Sequence, residues 1–327
     1  MSHNSSAIVD PTAPLSTDAA ITSPGLGRTG VIFGSLGVLA FSFTLPFTRI
    51  AVEQLPPLFI GSGRAVVAGL LAIVVLAIAR QRRPRGTQWI RLVVVVAGVV
   101  AGFPLLTSFA LQSVPAAHGA VVIGLLPAAT AIAAVIRAKE RPSVAFWCAS
   151  GAGVVAVVAF IAVTGGGLSG LHLADLLLVG AVVLAAIGYA EGAMLSRELG
   201  SWQTICWALV IALPVMIPLS AGSVIASGWP QADAGHWLAF GYLAVVSMFI
   251  GFFAWYRGLS IGPIAQVSQL QLVQPVLTII WSGLIVGEQL GWLVWGGALV
   301  VIVCAATAVR ARVAMTISSR EPAPVEA

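Results

Sequence analysis

The chain has 327 residues, of which 59% are hydrophobic and 8% charged, where soluble domains carry about a quarter charged residues. That balance excludes a water-soluble globular domain and points to lipid as the solvent. The formal net charge of +5 does not mark a nucleic-acid binder, because the basic residues fall in short breaks between apolar runs rather than in one patch.

Residues 1–27, MSHNSSAIVDPTAPLSTDAAITSPGLG, lack the basic start and apolar centre of a secretory signal and read as a disordered tail. Apolar runs of roughly twenty residues, the length that crosses a ~30 Å hydrocarbon core, follow one another from there. They lie at 31–51, 57–79, 90–112, 116–136, 143–164, 173–195, 203–226, 236–256, 263–285 and 290–309. This pattern predicts an all-α polytopic membrane protein with ten transmembrane helices. Its organisation is a tail over 1–29, a first five-helix unit over 30–164, a second over 172–310, and a tail over 311–327. Cys148, Cys206 and Cys304 fall inside apolar runs and form no CxxC, so neither a disulfide framework nor a metal knuckle is expected.

With the N-terminus inside, the breaks on the cytoplasmic side receive Arg28, Arg80, Arg82, Arg83, Arg85, Arg91, Arg137, Lys139, Arg141, Arg197, Arg257, Arg310, Arg312 and Arg320. Only Arg49 and Arg64 of the 16 basic residues escape. Asp175, Asp233 and Glu288 lie at the other side. Lys/Arg asymmetry in short loops sets orientation, so both termini are expected in the cytoplasm of a cell whose inner membrane holds the protein.

A repeat lies within the pattern. Ala110 to Trp147 aligns without a gap with Gly258 to Trp295, 148 residues on, pairing Leu111 with Leu259, Pro115 with Pro263, Ala117 with Ala265 and Pro127 with Pro275. Thr130 also meets Thr278, Ile132 meets Ile280, Glu140 meets Glu288, and Trp147 meets Trp295. Pro115 and Pro263 open their runs, where a missing N–H costs little. Pro127 and Pro275 fall mid-run, where they loosen a helix. Five runs separate the copies, and an odd number makes the second half enter the membrane from the opposite side, which predicts inverted repeats.

The segments LLPAATAIAAVIRAKER and LVQPVLTIIWSGLIVGEQ, with five plus five runs, resemble the EamA-type members of the drug/metabolite transporter superfamily over roughly residues 30–310. The resemblance implies a basket of ten helices around a central cavity lined mostly by spans 1, 3, 4, 6, 8 and 9. It also implies a secondary transporter that moves an amino acid or drug-like solute, commonly outward. Inverted half-bundles that rock about a midplane site are a common basis of alternating access. Relatives often place glutamate just before the second-half proline; Gln274 stands there in this chain, so cation chemistry attributed to that glutamate is not carried over.

Candidate site residues follow from polarity in an apolar setting. Gln266, Gln269, Gln271 and Gln274 share run nine, and helical spacing puts Gln271, Gln274 and Thr278 on one face, ready for a polar substrate or for bonding neighbouring helices. The first-half counterparts of Gln271 and Gln274 are Ile123 and Leu126, so packing alone does not demand amides. Glu191 and Arg64 are charges in apolar runs and functional candidates on that ground, against snorkelling or a structural pair. Their differing depths, more than ~10 Å at ~1.5 Å per residue, favour Arg257 over Arg64 as the partner of Glu191 in a cytoplasmic gate or protonation site. Phe43, Tyr189, Trp207, Trp255 and Tyr256 are candidates for stacking on a ligand, with interfacial anchoring the alternative. His118 reads as packed or interfacial in one view and as a proton carrier in the other. Glu140 and Glu288 precede the helices that follow the prolyl runs, where their charge favours those N-termini.

A membrane-embedded enzyme needs acids, nucleophiles or metal ligands gathered at one depth, and His3, His118, His172 and His236 are scattered with no HxxxH or DxxD. Without GxxxxGK[ST] there is no sign of an internal ATP motor, and transport is expected to run on gradients with no cofactor. A scaffold without transport is the remaining alternative. The expected partners are a small-molecule substrate and the bilayer, not nucleic acid, with the chain a monomer or a homodimer.

Overall fold

The computed structural model describes residues 24–138, 143–164, 172–261 and 270–318, and among these the regular elements are helices, with no strand. Eight helices are long and apolar enough to cross a membrane: α1 (Thr29–Ala51), α2 (Pro57–Ile78), α3 (Gln88–Ala110), α4 (Ala116–Arg137), α5 (Val144–Thr164), α6 (Leu173–Glu198), α7 (Ser201–Ser227) and α8 (Ala234–Ile261). Two shorter apolar helices follow, α9 (Gln271–Val286) and α10 (Trp292–Ala308). The eight long helices lie within five residues of the runs read from hydropathy. The start of the ninth run falls outside the described residues.

Local chemistry sets the ends. Pro57 opens α2 at a position that needs no N–H donor. Asp175 in the first turn of α6 accepts the His172 backbone N–H at 3.1 Å, satisfying an otherwise orphaned donor. Gly200, at φ 99°, turns the chain between α6 and α7, a conformation that a Cβ disfavours.

Packing follows a pattern that repeats after five helices. α2 packs along α7 and α5 along α10; α1 lies against α8 and α9, while α6 lies against α3 and α4; and α4 meets α9. Exchanging each helix for the one five places on returns each of these pairs, while the α4–α10 and α1–α4 contacts have no counterpart of like extent among the described residues.

Close approach depends on small residues, as expected where lipid removes the hydrophobic drive for helices to associate. Gly98 of α3 lies on Gly188 of α6, where a Cβ on Gly98 would reach the Gly188 Cα at 2.9 Å. Gly192, one turn further along α6, leaves room for the buried Tyr256 hydroxyl. Gly151 of α5, by contrast, faces open space. Gly98→Ala is therefore expected to destabilise the protein by about 1–3 kcal/mol through overpacking, while Gly151→Ala leaves it unchanged. Thermal unfolding of the two variants in detergent checks this, and equal melting temperatures would rule out the close α3–α6 contact as a stabilising feature.

Candidate functional site

Four helices break at mid-depth, each just before or around the carbonyl that a proline four residues on cannot serve. Pro46 withholds a donor from Ser42, and α1 opens at Phe43. Pro104 follows the π-helical stretch Val96–Gly102 of α3. Pro127 follows the turn at Gly124 and Leu125 in α4, and Pro275 follows the 3₁₀ turn Gln271–Val273 of α9. A second π-helical stretch, Tyr242–Ile250, lies in α8 without a proline. Such irregularity is tolerated at membrane depth only where protein or a cavity answers the freed backbone groups.

Protein answers the break in α1. The Thr278 hydroxyl donates to the Ser42 carbonyl at 2.8 Å, the Trp281 indole N–H donates to Ser42 Oγ at 3.0 Å, and the Tyr242 hydroxyl donates to the Ala40 carbonyl at 3.0 Å. The Phe43 ring stacks on Trp281 with centroids 4.6 Å apart.

The breaks surround a cavity. Its lining includes Phe41, Thr44, Arg64, Phe103, Tyr189, Ser247, Phe252 and Gln274, drawn from α1, α2, α3, α6, α8 and α9, with Leu126 of α4 beside them. About 20 Å³ is open to the centres of water molecules, room for one or two waters. A smaller cavity adjoins it along α4 and α9, lined by Ile123, Pro127, Gln271, Gln274, Pro275 and Thr278 among others. Thr44 Oγ1 and Ser247 Oγ share a hydrogen bond of 2.8 Å across the main cavity wall.

Polar atoms here lack partners within the protein. Arg64 is 2% exposed, and its Nε and Nη1 make no hydrogen bond. The same holds for Gln271 Nε2 and Gln274 Oε1. Buried donors and acceptors are nearly always paired; unpaired buried atoms also occur at Thr130, Ser150, Gln203, His236, Trp255 and Tyr256, and Arg64, Gln271 and Gln274 stand apart from these because they line the two adjoining cavities.

Both ends of the bundle are tied by polar contacts. At the arginine-rich end, the buried Glu191 carboxylate of α6 accepts from Arg91 Nε of α3 and from Arg137 Nε of α4 at 3.1 Å, and Arg91 also reaches Glu198. At the opposite end, Glu288 accepts the Ala116 and Ala117 backbone N–H groups at 2.6 and 2.8 Å, and His118 Nε2 lies 2.8 Å from Asp175 Oδ1. Gln54 and Asp233 exchange two hydrogen bonds at the same end, Gln54 Nε2 to Asp233 Oδ2 at 2.9 Å and Asp233 N to Gln54 Oε1 at 2.8 Å.

Of the residues singled out from sequence, Gln271, Gln274, Thr278, Tyr189 and Arg64 line the cavities. Gln269, with Gln266 and Glu140, lies outside the described residues. Trp255 packs behind Tyr189 with centroids 6.4 Å apart, and Tyr256 is buried beside Gly192. Trp207 lies against Trp89 at 6.0 Å, away from the cavity, because Trp89 starts α3 at the arginine-rich end.

Two expectations are corrected. Glu191 is held by Arg91 and Arg137, not by Arg257, which is exposed; α6 runs on to Glu198, so Glu191 lies seven residues from its end and faces α3 and α4. Glu288 serves the first turn of α4 in place of the helix after it, its carboxylate completing an N-terminus that Pro115 precedes. Sequence reasoning missed the Thr44–Ser247 pair, and assigned Arg91 to a loop cluster. The sequence offered little to single out the pair, since the first run also carries Ser35, Ser42 and Thr48.

The fold and site define a polytopic α-helical membrane protein with a closed polar cavity at its centre. Comparison with known families then identifies it: the EamA-like transporter family model matches residues 28–162 and again 172–310, and the chain belongs to that family. It is 47% identical over 281 residues to the uncharacterized transporter YdeK of Bacillus subtilis (strain 168), a match covering 86% of this chain and 97% of that one. A solved crystal structure at 19% identity superposes with a TM-score of 0.60 over 90% of this chain and 99% of its own, a likeness of fold. The protein is a multi-pass membrane transporter.

The hydrogen bonds separate two roles on α9. Thr278→Val strips the Ser42 carbonyl of its donor and is expected to cost about 1–2 kcal/mol. Gln274→Leu removes an amide whose Oε1 has no partner, and is expected to leave the melting temperature unchanged while weakening transport. A large stability loss in Gln274→Leu would place that side chain among the structural ties.

Proposed function

We propose that the chain is a secondary transporter that exports a small metabolite across the cytoplasmic membrane by alternating access, with two inverted five-helix halves and both termini in the cytoplasm. The observation that carries the reading is a cavity with unpartnered polar groups, tied at both ends, and too small for any metabolite as it stands. A ligand can enter only if one set of ties opens, and a transporter must never open both together. The packing pattern supports the two halves, since it returns on itself after five helices. The helix breaks support them too: the π-helical stretches of α3 and α8, and the prolyl breaks of α4 and α9, recur at the spacing of the sequence repeat.

In this reading Glu191 closes the cytoplasmic mouth by holding α3 and α4 to α6 through Arg91 and Arg137. Rupture of the triad frees the ends of three helices at once. The ties are polar, so water entering an opened mouth serves their released groups as an alternative partner. That keeps the closed state only modestly preferred, as a gate that cycles requires.

Glu191→Gln removes the charge while keeping shape. It is expected to leave insertion intact and to change flux on the order of tenfold, a coupling of the size typical for two-state elements. The measurement is the set of metabolites released by cells with and without the protein and by cells expressing the variant. Unchanged release by the variant would remove Glu191 from the gate. Reporters fused after Arg83 and after Arg320 are expected to read cytoplasmic, and one at Asp233 external. An external C-terminus would overturn the inverted arrangement.

A further inference from the structure

Among the described residues, the buried acids Glu191 and Asp175 have partners in the protein, while the buried cation Arg64 has none. Glu191 is held by Arg91 and Arg137, and Asp175 by His118. Arg64 lines the main cavity with no ion pair and with two guanidinium nitrogens unbonded. Its charge is permanent, and an isolated charge within the membrane is costly enough to need a functional reason.

The other walls say what answers it. Among the described residues no acidic side chain lines either cavity, and the sequence 262–269, GPIAQVSQ, contains no acid. An ammonium group entering beside Arg64 would add a second positive charge with nothing to balance it. A dianion would leave one negative charge uncompensated. The remaining lining is aromatic and aliphatic, with Phe41, Phe103, Phe252 and Tyr189 forming a surface for an apolar body. The Gln274 amide and the Thr44 and Ser247 hydroxyls supply neutral hydrogen bonds. A carboxylate matches the guanidinium fork with two parallel hydrogen bonds.

We infer that Arg64 is the counter-ion of the transported molecule, and that this molecule is an organic monoanion: one carboxylate on an apolar or aromatic body, without a balancing ammonium. The inference rests on the transporter reading above and narrows its substrate class. Arg64 supplies the charge complement, the aromatic walls exclude water from it, and Gln274 orients a neutral polar group. Charge neutrality in the closed cavity is then reached only when the ligand is bound, which lowers the cost of carrying the anion through the low-dielectric centre.

The test compares cells lacking the protein, cells expressing it, and cells expressing Arg64→Gln or Arg64→Lys, by untargeted mass spectrometry of medium and cytoplasm. The expected result is that the compounds redistributed by the wild-type protein are monocarboxylates without an amine, that Arg64→Gln reduces their redistribution at least tenfold, and that Arg64→Lys retains more than Arg64→Gln. Redistribution of amines, zwitterions or neutral solutes overturns the inference and leaves the transporter reading standing, as does full activity in Arg64→Gln. No redistributed compound at all overturns the transporter reading itself. Where Arg64→Gln fails to fold, purified wild-type protein decides: its melting temperature is expected to rise with the identified carboxylate and not with the corresponding amide. An equal rise with both overturns the role of Arg64.

Discussion

Lipid offers no hydrogen-bond partner, so each polar group that the chain carries into the membrane must be answered by another part of the same protein or by its ligand. The architecture around the centre follows from that constraint. Pro46 frees the Ser42 carbonyl, and Thr278, from a helix more than two hundred residues away, donates to it at 2.8 Å. The prolines that follow the breaks in α4 and α9, Pro127 and Pro275, both line the smaller cavity. Arg64, Gln271 and Gln274 are among the buried groups without a partner in the protein, and these three line the two adjoining cavities.

The distribution of apolar and polar contacts divides labour within the molecule. Long helix pairs such as α2 with α7 and α5 with α10 are joined through apolar and small-residue surfaces, which give rigid rods. The ends are joined by few polar ties, among them Glu191 with its two arginines and Glu288 with the first turn of α4. Interhelical hydrogen bonds in membranes are worth roughly 1 kcal/mol each. A handful of such ties therefore holds a mouth shut without making the closed state irreversible, while the rods move as units.

The two halves share a scaffold and differ in what they present to the centre. Ile123 and Leu126 occupy in α4 the positions that Gln271 and Gln274 occupy in α9, and all four line the smaller cavity. Positions paired by the sequence repeat thus present different side chains to the same cavity. Arg64 adds charge from α2 without an equivalent opposite it, since residue 212, its counterpart in the 148-residue register, is a buried alanine. At the smaller cavity α9 thus presents a polar wall and α4 an apolar one.

Hydropathy alone determined the eight long helices, within five residues at each end, because a span's length is imposed by bilayer thickness and its composition by lipid. The repeat, the prolines that loosen α4 and α9, and the candidacy of Gln271, Gln274, Tyr189 and Arg64 were likewise legible, since polar or ring-locked residues stand out against an apolar background. Partnership was not legible. Nothing in the chain says that Glu191 faces Arg91 and Arg137 in place of Arg257, that Glu288 closes the first turn of α4, that Trp207 leans on Trp89, or that Thr44 meets Ser247. Those pairings depend on the rotation of each helix about its axis and on which helices become neighbours. An apolar run constrains neither, because it is almost equally hydrophobic all round, and only the packing of small residues such as Gly98 on Gly188 sets them.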